Sequence, residues 1–166
     1  MQSVGDKLAE LACEPGRKVE DVDVFGRSAF NRYYYASYLI TRKMLFDLNP
    51  NWVNTRHKNI PELLRKTIIS RIRDQIRKQS KKGLITKSKE QKIRNDINDA
   101  VSELSLIIAE AYNIRVIADY RPDNKIFRKH KDLILENKSL NEAKKWSGRA
   151  SMFSKKIIRI WKDVGL

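Results

Sequence analysis

The segment Arg115-Val116-Ile117-Ala118-Asp119-Tyr120 places an arginine four residues before an aspartate and five before a tyrosine. On a helix, Asp119 shares a face with Arg115 and can hold its guanidinium as an ion pair. Tyr120 falls about 140° around the helix from Arg115, so the two converge only where the helix end unwinds or a second copy of the chain supplies one of them. These residue types suit phosphate chemistry. Displacement at a phosphate needs a group to take the nucleophile's proton, a donor for the leaving oxygen and a cation for the crowded phosphate. Arg115 can supply the cation. A tyrosine, with a reference pKa near ~10, stays protonated at neutral pH and can act as the donor, and His57 is a candidate proton shuttle. The structural alternative makes Arg115 and Asp119 a helix ion pair and Tyr120 a packing residue. A second group, Arg32-Tyr33-Tyr34-Tyr35-Ala36, offers Arg32 and Tyr34 as partners, although such rings have first to be buried and their hydroxyls satisfied.

The charge balance points in the same direction. Thirty-five Lys and Arg against twenty Asp and Glu leave a formal charge of +15, a field that gathers polyanions. Lys66, Arg73, Arg77 and Lys81 recur close to one helix face, with Arg65, Arg71, Lys78 and Lys82 nearby and Asp74 opposing them. Arg56 and Lys58 flank His57 in a loop. Repeated cations of this kind suit a phosphate backbone, and the alternative is a solvated face. No aromatic residue interrupts the stripe, so base stacking is not expected. Two histidines and one cysteine without metal-ligand spacing give no expectation of a catalytic metal. Neither a P-loop nor a dinucleotide fingerprint occurs, and no cofactor is expected. The lone Cys13 has no partner for a disulfide, the first residues lack an apolar signal core, and the longest apolar patches, such as Leu106-Ile107-Ile108-Ala109, fall far short of the ~18 residues of a membrane span. A cytoplasmic protein without membrane association is the expectation.

The spacing of apolar residues predicts the elements that must position these groups. Residues 1–16 read as a short helix or arm that stops at Pro15-Gly16. From about Asp23, Phe30, Tyr33, Ser37, Ile40 and Met44 carry a long helix that ends near Asn49-Pro50. Trp52 to Lys58 read as a polar loop. Pro61 suits the first turn of a helix continued by Leu64, Ile68, Ile72 and Ile76, and Lys81-Lys82-Gly83 breaks it. Ile93, Ile97, Val101, Leu104, Ile108, Ala111 and Ala118 define a central helix, which Pro122 stops at or before Tyr120. Residues 121–138 form a polar crossover segment with a helical piece near Leu133 to Leu135. Ser139 and Glu142 match a capping box that opens the last helix, carried by Ala143, Ser147, Ala150, Ile157, Ile160 and Val164. No strand pattern is evident. The expectation is a single all-α domain over 1–166, an antiparallel four- to five-helix bundle.

The order of these features resembles the HEPN superfamily of small helical bundles. Its members carry a pattern like Arg-x-Tyr-Tyr-Ala on the first long helix, filled here by Arg32 to Ala36, and one like Arg-x-x-Ala-Asp-Tyr at the end of the third, filled by Arg115 to Tyr120. Arg56-His57-Lys58 stands where many members have Lys-His or His-Lys. The resemblance implies an RNA-directed protein working as a homodimer: a metal-independent ribonuclease of a toxin-antitoxin or antiviral-defence system, or a non-catalytic module binding RNA, a nucleotide, or a partner subunit such as a nucleotidyltransferase or an antitoxin. The nucleases of the family use an arginine followed after four to six residues by histidine. Neither His57 nor His130 has an arginine at that distance, and the position after Arg115 is filled by Tyr120, so the motif here is a variant Arg-x4-Tyr.

Overall fold

A computed structural model describes residues 1–130 and 132–166. The chain is predominantly helical, as its composition and periodicity lead one to expect, with one small sheet. In chain order it forms α1 (Gln2–Cys13), α2 (Val19–Leu48), 3₁₀ turns at Pro50–Asn54 and His57–Asn59, α3 (Ile60–Leu63), a π turn (Leu64–Ile68) and α4 (Ile69–Lys81). There follow α5 (Lys87–Tyr120), β1 (Phe127–Lys129), β2 (Asp132–Leu135), β3 (Lys138–Ser139), α6 (Leu140–Lys144) and α7 (Trp146–Asp163). Two compact units result, one from Met1–Leu39 and Ile108–Arg149, the other from Ile40–Ile107 and Ala150–Leu166. Each long helix, α2 and α5, therefore belongs to the first unit at one end and to the second at the other.

The core of the first unit is aromatic. Phe30, Tyr33 and Tyr34 of α2 are buried together with Ala111, Ile114 and Ala118 of α5, Leu133 and Leu135 of β2, and Trp146. Tyr34 stacks on Tyr38 with ring centroids 6.0 Å apart and meets Tyr35 and Tyr112 edge-on at 5.1 and 6.1 Å, geometries the ring quadrupole favours. Tyr33 donates its hydroxyl to Asp6 Oδ1 at 3.0 Å, tying α1 to α2. The helices approach so closely here that a Cβ on Gly5 would lie 2.7 Å from the Tyr33 ring. Glu110 on α5 gathers the later elements, accepting from Trp146 Nε1 at 2.8 Å and pairing with Lys138 Nζ at 2.9 Å.

Residues 121–138 depart from the sequence expectation. They carry an antiparallel sheet in the order β1-β2-β3, with Phe127 opposite Ile134 and Leu135 opposite Lys138, and there is no helix at Leu133 to Leu135. Burial alternates there, Leu133 and Leu135 inward and Ile134 less so. Four residues are too few for periodicity to separate a strand from a helical turn. His130 and Glu136, at the two turns, adopt left-handed backbone with φ of 55° and 57°, which few non-glycine residues do. The capping box at Ser139 and Glu142 forms as expected, with both reciprocal hydrogen bonds at 3.1 Å. It opens only the short α6, because the chain turns at Lys145 before α7 begins.

The second unit is aliphatic. Leu64, Ile68, Ile72 and Ile76 are all fully buried, as are Ile97, Val101 and Leu104 of α5 and Ile157 of α7. Apolar residues spaced strictly by four drift about 40° per step around a regular α-helix. The wider π turn at Leu64–Ile68 takes up part of that drift and keeps the series facing inward. Residues 50–59 are likewise more ordered than the loop expected. Asn49 accepts from Asn51 N at 3.0 Å, Arg42 donates to Val53 O at 3.2 Å, and Trp52 packs edge-on against Trp161 at 5.8 Å.

Burial, first of all, raises the pKa of both Tyr33 and Tyr34 well above the tyrosine range, reinforced by the bond to Asp6 for Tyr33 and by the Tyr38 phenol for Tyr34. The folded state thus favours the neutral phenols. That contribution is complete below ~10, where the unfolded chain also keeps them neutral, and is lost as pH rises beyond it. An alkaline absorbance titration should show two of the six tyrosines ionising only as the chain unfolds. Tyr33→Phe should reduce that pair to one; an unchanged profile would contradict the assignment.

Candidate functional site

The C-terminal end of α5 must dispose of its last carbonyls, since Pro122 prevents the helix from continuing to satisfy them. Arg27 of α2 does this. One terminal nitrogen donates to Ile117 O at 3.2 Å and Ala118 O at 3.0 Å; the other donates to Arg121 O at 3.2 Å and to Asn124 O. A cation at this end also complements the helix dipole. Asp23, one turn earlier on α2, accepts from Arg27 Nε at 2.9 Å with one oxygen and from Ile126 N at 2.8 Å with the other. Asn31, one turn later, donates to Asp119 Oδ1 at 2.6 Å. Asp23, Arg27 and Asn31 thus form a polar stripe that fixes where α5 ends and how Asp119 points.

Asp119 Oδ2 lies 2.8 Å from Arg115 Nε, a charge contact in which the N–H is not aimed at the oxygen, for that Nε is buried without a well-directed hydrogen bond. Arg115 in turn donates through a terminal nitrogen to the Tyr120 hydroxyl at 3.4 Å, and its guanidinium carbon lies 5.1 Å from the centroid of that ring. Burial works against the charge on Arg115, but the Tyr120 bond and the Asp119 carboxylate outweigh it and raise the pKa above the ordinary arginine value. Tyr120 is 64% exposed. Its oxygen accepts from Arg115, which leaves its own proton to donate outward, toward solvent or a ligand.

The convergence of Arg115 and Tyr120 within one chain corrects the expectation that it needs an unwound end or a second copy. The helix runs regularly to Tyr120, and Arg121 N still bonds Ile117 O at 3.0 Å. The arginine is long enough to cross the helix surface, and no further turn covers the Tyr120 ring. Other expected site residues lie elsewhere. Arg32 reaches the Met1 sulfur at 3.9 Å, and Tyr34 is core. His57 and Lys58 belong to the second 3₁₀ turn, which Arg56 immediately precedes, in the second unit.

The cationic helix divides on inspection. Lys66 pairs with Glu62 at 2.8 Å, Arg77 faces Asp74 at 4.0 Å, and Arg73 donates to Asn98 Oδ1 at 3.0 Å. Lys81, like Arg65, Lys78 and Lys82, is exposed and forms no ion pair with a described residue. Arg71 lies over Trp52, 5.1 Å from the ring centroid. An aromatic side chain therefore does join the stripe, contrary to the sequence expectation, because the turn at residues 50–54 brings it there from outside the helix. No spacing rule connects Trp52 to Arg71. The stripe of Asp23, Arg27 and Asn31, by contrast, is visible in the sequence as three polar residues four apart on one face of α2. Among the described residues no group of acidic, histidine and cysteine side chains could hold a metal ion, and no helix is long and apolar enough to cross a membrane.

No family model, curated protein or solved structure matches the chain.

Replacing Arg27 with Met should remove the cap while keeping much of the side-chain bulk. The unpaired carbonyls and the half-buried Asp23 should cost about 3 kcal/mol, measured as a lower midpoint in urea. Arg27→Lys should recover little, because an ammonium cannot span the carbonyls that the planar fork reaches. Stability equal to wild type in either variant would refute the capping role.

Proposed function

We propose that the chain is an RNA-binding helical domain of the HEPN type, which meets the phosphate backbone with the exposed side of α4. The observations that carry this reading are the exposed cations Arg65, Lys78, Lys81 and Lys82, which form no ion pair with a described residue, and the placement of Arg71 over Trp52. Cations at repeated spacing suit phosphates, and a partly exposed indole flanked by a guanidinium offers a base a stacking surface. The net charge and the two family-like motifs, Arg32 to Ala36 and Arg115 to Tyr120, support the same assignment. By that resemblance, a second copy of the chain, a nucleotidyltransferase or an antitoxin subunit is a partner of the assembled protein.

A second reading, metal-independent ribonuclease, draws on the contact between Arg115 and Tyr120. Arg115 would steady the phosphate and Tyr120 would donate to the leaving oxygen, while Asp119 positions Arg115. The binding reading is preferred because Asp119 and Tyr120 already engage that guanidinium.

Fluorescence anisotropy with short single-stranded RNA over a range of salt tests the first reading. Arg65→Glu with Lys78→Glu should weaken binding at least about tenfold and flatten the logarithmic salt slope by roughly one to two units. Unaltered affinity and slope would remove α4 from the interface. Incubating an RNA pool with chelator and either wild type or Arg115→Ala tests the second: cleavage by wild type that the variant loses would replace the binding reading with catalysis, and intact RNA with both would uphold it.

A further inference from the structure

Helix α4 ends in a turn that leaves a leucine uncovered. Gly83, left-handed at φ 69°, donates its N–H to Ser80 O at 3.0 Å, and Leu84 N donates to Gln79 O at 3.0 Å. In a helix closed by these two reversed bonds, the apolar residue after the glycine packs back on the residue five before it. Here that residue is Gln79, whose side-chain amide is turned to Val164 O at 3.0 Å, just beyond α7. Leu84 gains no apolar partner from it and stays 69% exposed. Two residues on, Thr86 caps α5 by accepting from Lys89 N at 3.2 Å, so the turn is anchored at both ends. Residues 81–84 are all exposed, and a Cβ on Gly83 would meet nothing within 4 Å. The leucine therefore sits on a protruding turn, with open space beside it.

The charge around this turn comes from lysine. Residues 78–92 contain six lysines and one glutamate, with no arginine and no aromatic ring. Glu90 pairs with Arg94 at 2.8 Å, and Lys87 also acts on it. Lys89, Lys92 and Arg159 border a cavity beside α7, where Lys92 and Arg159 both act on Asp96. Lys162 and Asp163, at the end of α7, offset each other. With each carboxylate given its cations, Lys78, Lys81, Lys82 and Lys89 are left exposed on either side of Leu84, with no ion pair to a described residue.

These features select among polyanions. A base needs a ring or a guanidinium plane to stack on, and this segment has neither. Lysines act as point charges on flexible stems and impose no fixed phosphate geometry. A lipid surface suits them, because mobile anionic headgroups gather under each lysine and every one adds to the attachment. It also takes up a protruding leucine at the acyl boundary, while the lysine stems reach back to the headgroups. We propose that the turn between α4 and α5 docks on the surface of an anionic membrane, with Leu84 inserted among headgroups that Lys78, Lys81, Lys82 and Lys89 neutralise. Such attachment needs no membrane-spanning helix, and none is long and apolar enough among the described residues. The proposal is independent of the RNA reading. Lys78, Lys81 and Lys82 serve both, but Leu84 serves only this one.

Flotation with vesicles of phosphatidylcholine alone, and of phosphatidylcholine with about 30% phosphatidylserine, tests it. Wild type should bind the anionic vesicles at least about tenfold more tightly than the neutral ones. Leu84→Ser, which leaves the charge unchanged, should weaken that binding about tenfold and keep the affinity for single-stranded RNA, whereas Leu84→Phe should retain both. The side chain is largely exposed, so both variants should melt like wild type. If wild type binds RNA but leaves anionic vesicles unbound, or binds neutral vesicles equally well, the inference fails. If it binds anionic vesicles and no RNA, the inference stands and the RNA reading fails. Equal vesicle binding by wild type and Leu84→Ser would also overturn it, because charge alone would then account for the attachment.

Discussion

Four backbone carbonyls at and beyond the end of α5 accept from a single guanidinium, and the first unit depends on that arrangement. A helix of thirty-four residues stopped by a proline needs donors at its end. Supplying them from Arg27, rather than from a glycine turn or from water, fixes the end of α5 against α2. Asp23 binds the same arginine and the amide of Ile126, so the strands that follow start from a defined place. Asn31 extends the order to Asp119. What is seen at Tyr120, an exposed ring lying beside a guanidinium at a definite position, is the last link of this chain of polar contacts. A similar device serves α1, where Arg128 of β1 donates to Ala12 O at 3.2 Å and to Cys13 O at 3.4 Å.

The same contacts limit what Arg115 can do chemically. A guanidinium beside a carboxylate and a phenol is held firmly charged and well oriented, which favours recognition of a phosphate oxygen. It is a poor setting for proton abstraction, since arginine stays protonated and the neighbouring carboxylate is occupied. Elsewhere the charge is divided between cations held by partners and cations left free. Surface ion pairs of the kind formed by Lys66 and Glu62 add little stability, but they take their members out of the free cationic surface. The free cationic surface is therefore left to side chains such as Lys78 and Lys82, which a charge count along the helix cannot distinguish from their neighbours.

The two units solve burial differently. In the first, bulky rings interlock around small residues such as Ala29, Ala111 and Ala118, and hydroxyl groups are satisfied at the edges. In the second, four aliphatic residues spaced by four are kept inward by a widened helical turn. Periodicity finds both faces, because an apolar stripe is legible whatever its partner. It does not reveal the π turn, which answers to the accumulated drift of the stripe, nor the strands after Pro122, whose two inward leucines fit either a strand or a turn.

The sequence by itself determined the helical class, the span of the two long helices to within a few residues, the stop at Tyr120, the capping box at Ser139 and the ion pair of Arg115 with Asp119. All of these follow from local rules: apolar spacing, the missing proline N–H, and side chains one turn apart. Tertiary structure alone decided that Arg27 caps α5, that Trp52 lies against Arg71, that Arg32 turns toward Met1, and that Lys89, Lys92 and Arg159 surround one cavity. Each depends on residues far apart in sequence whose distance is set by packing, and no local pattern encodes that distance. The meeting of Arg115 and Tyr120 lies between the two. Their spacing placed them on different sides of a helix, and only the exposed end of that helix, with a long side chain reaching across it, let them touch.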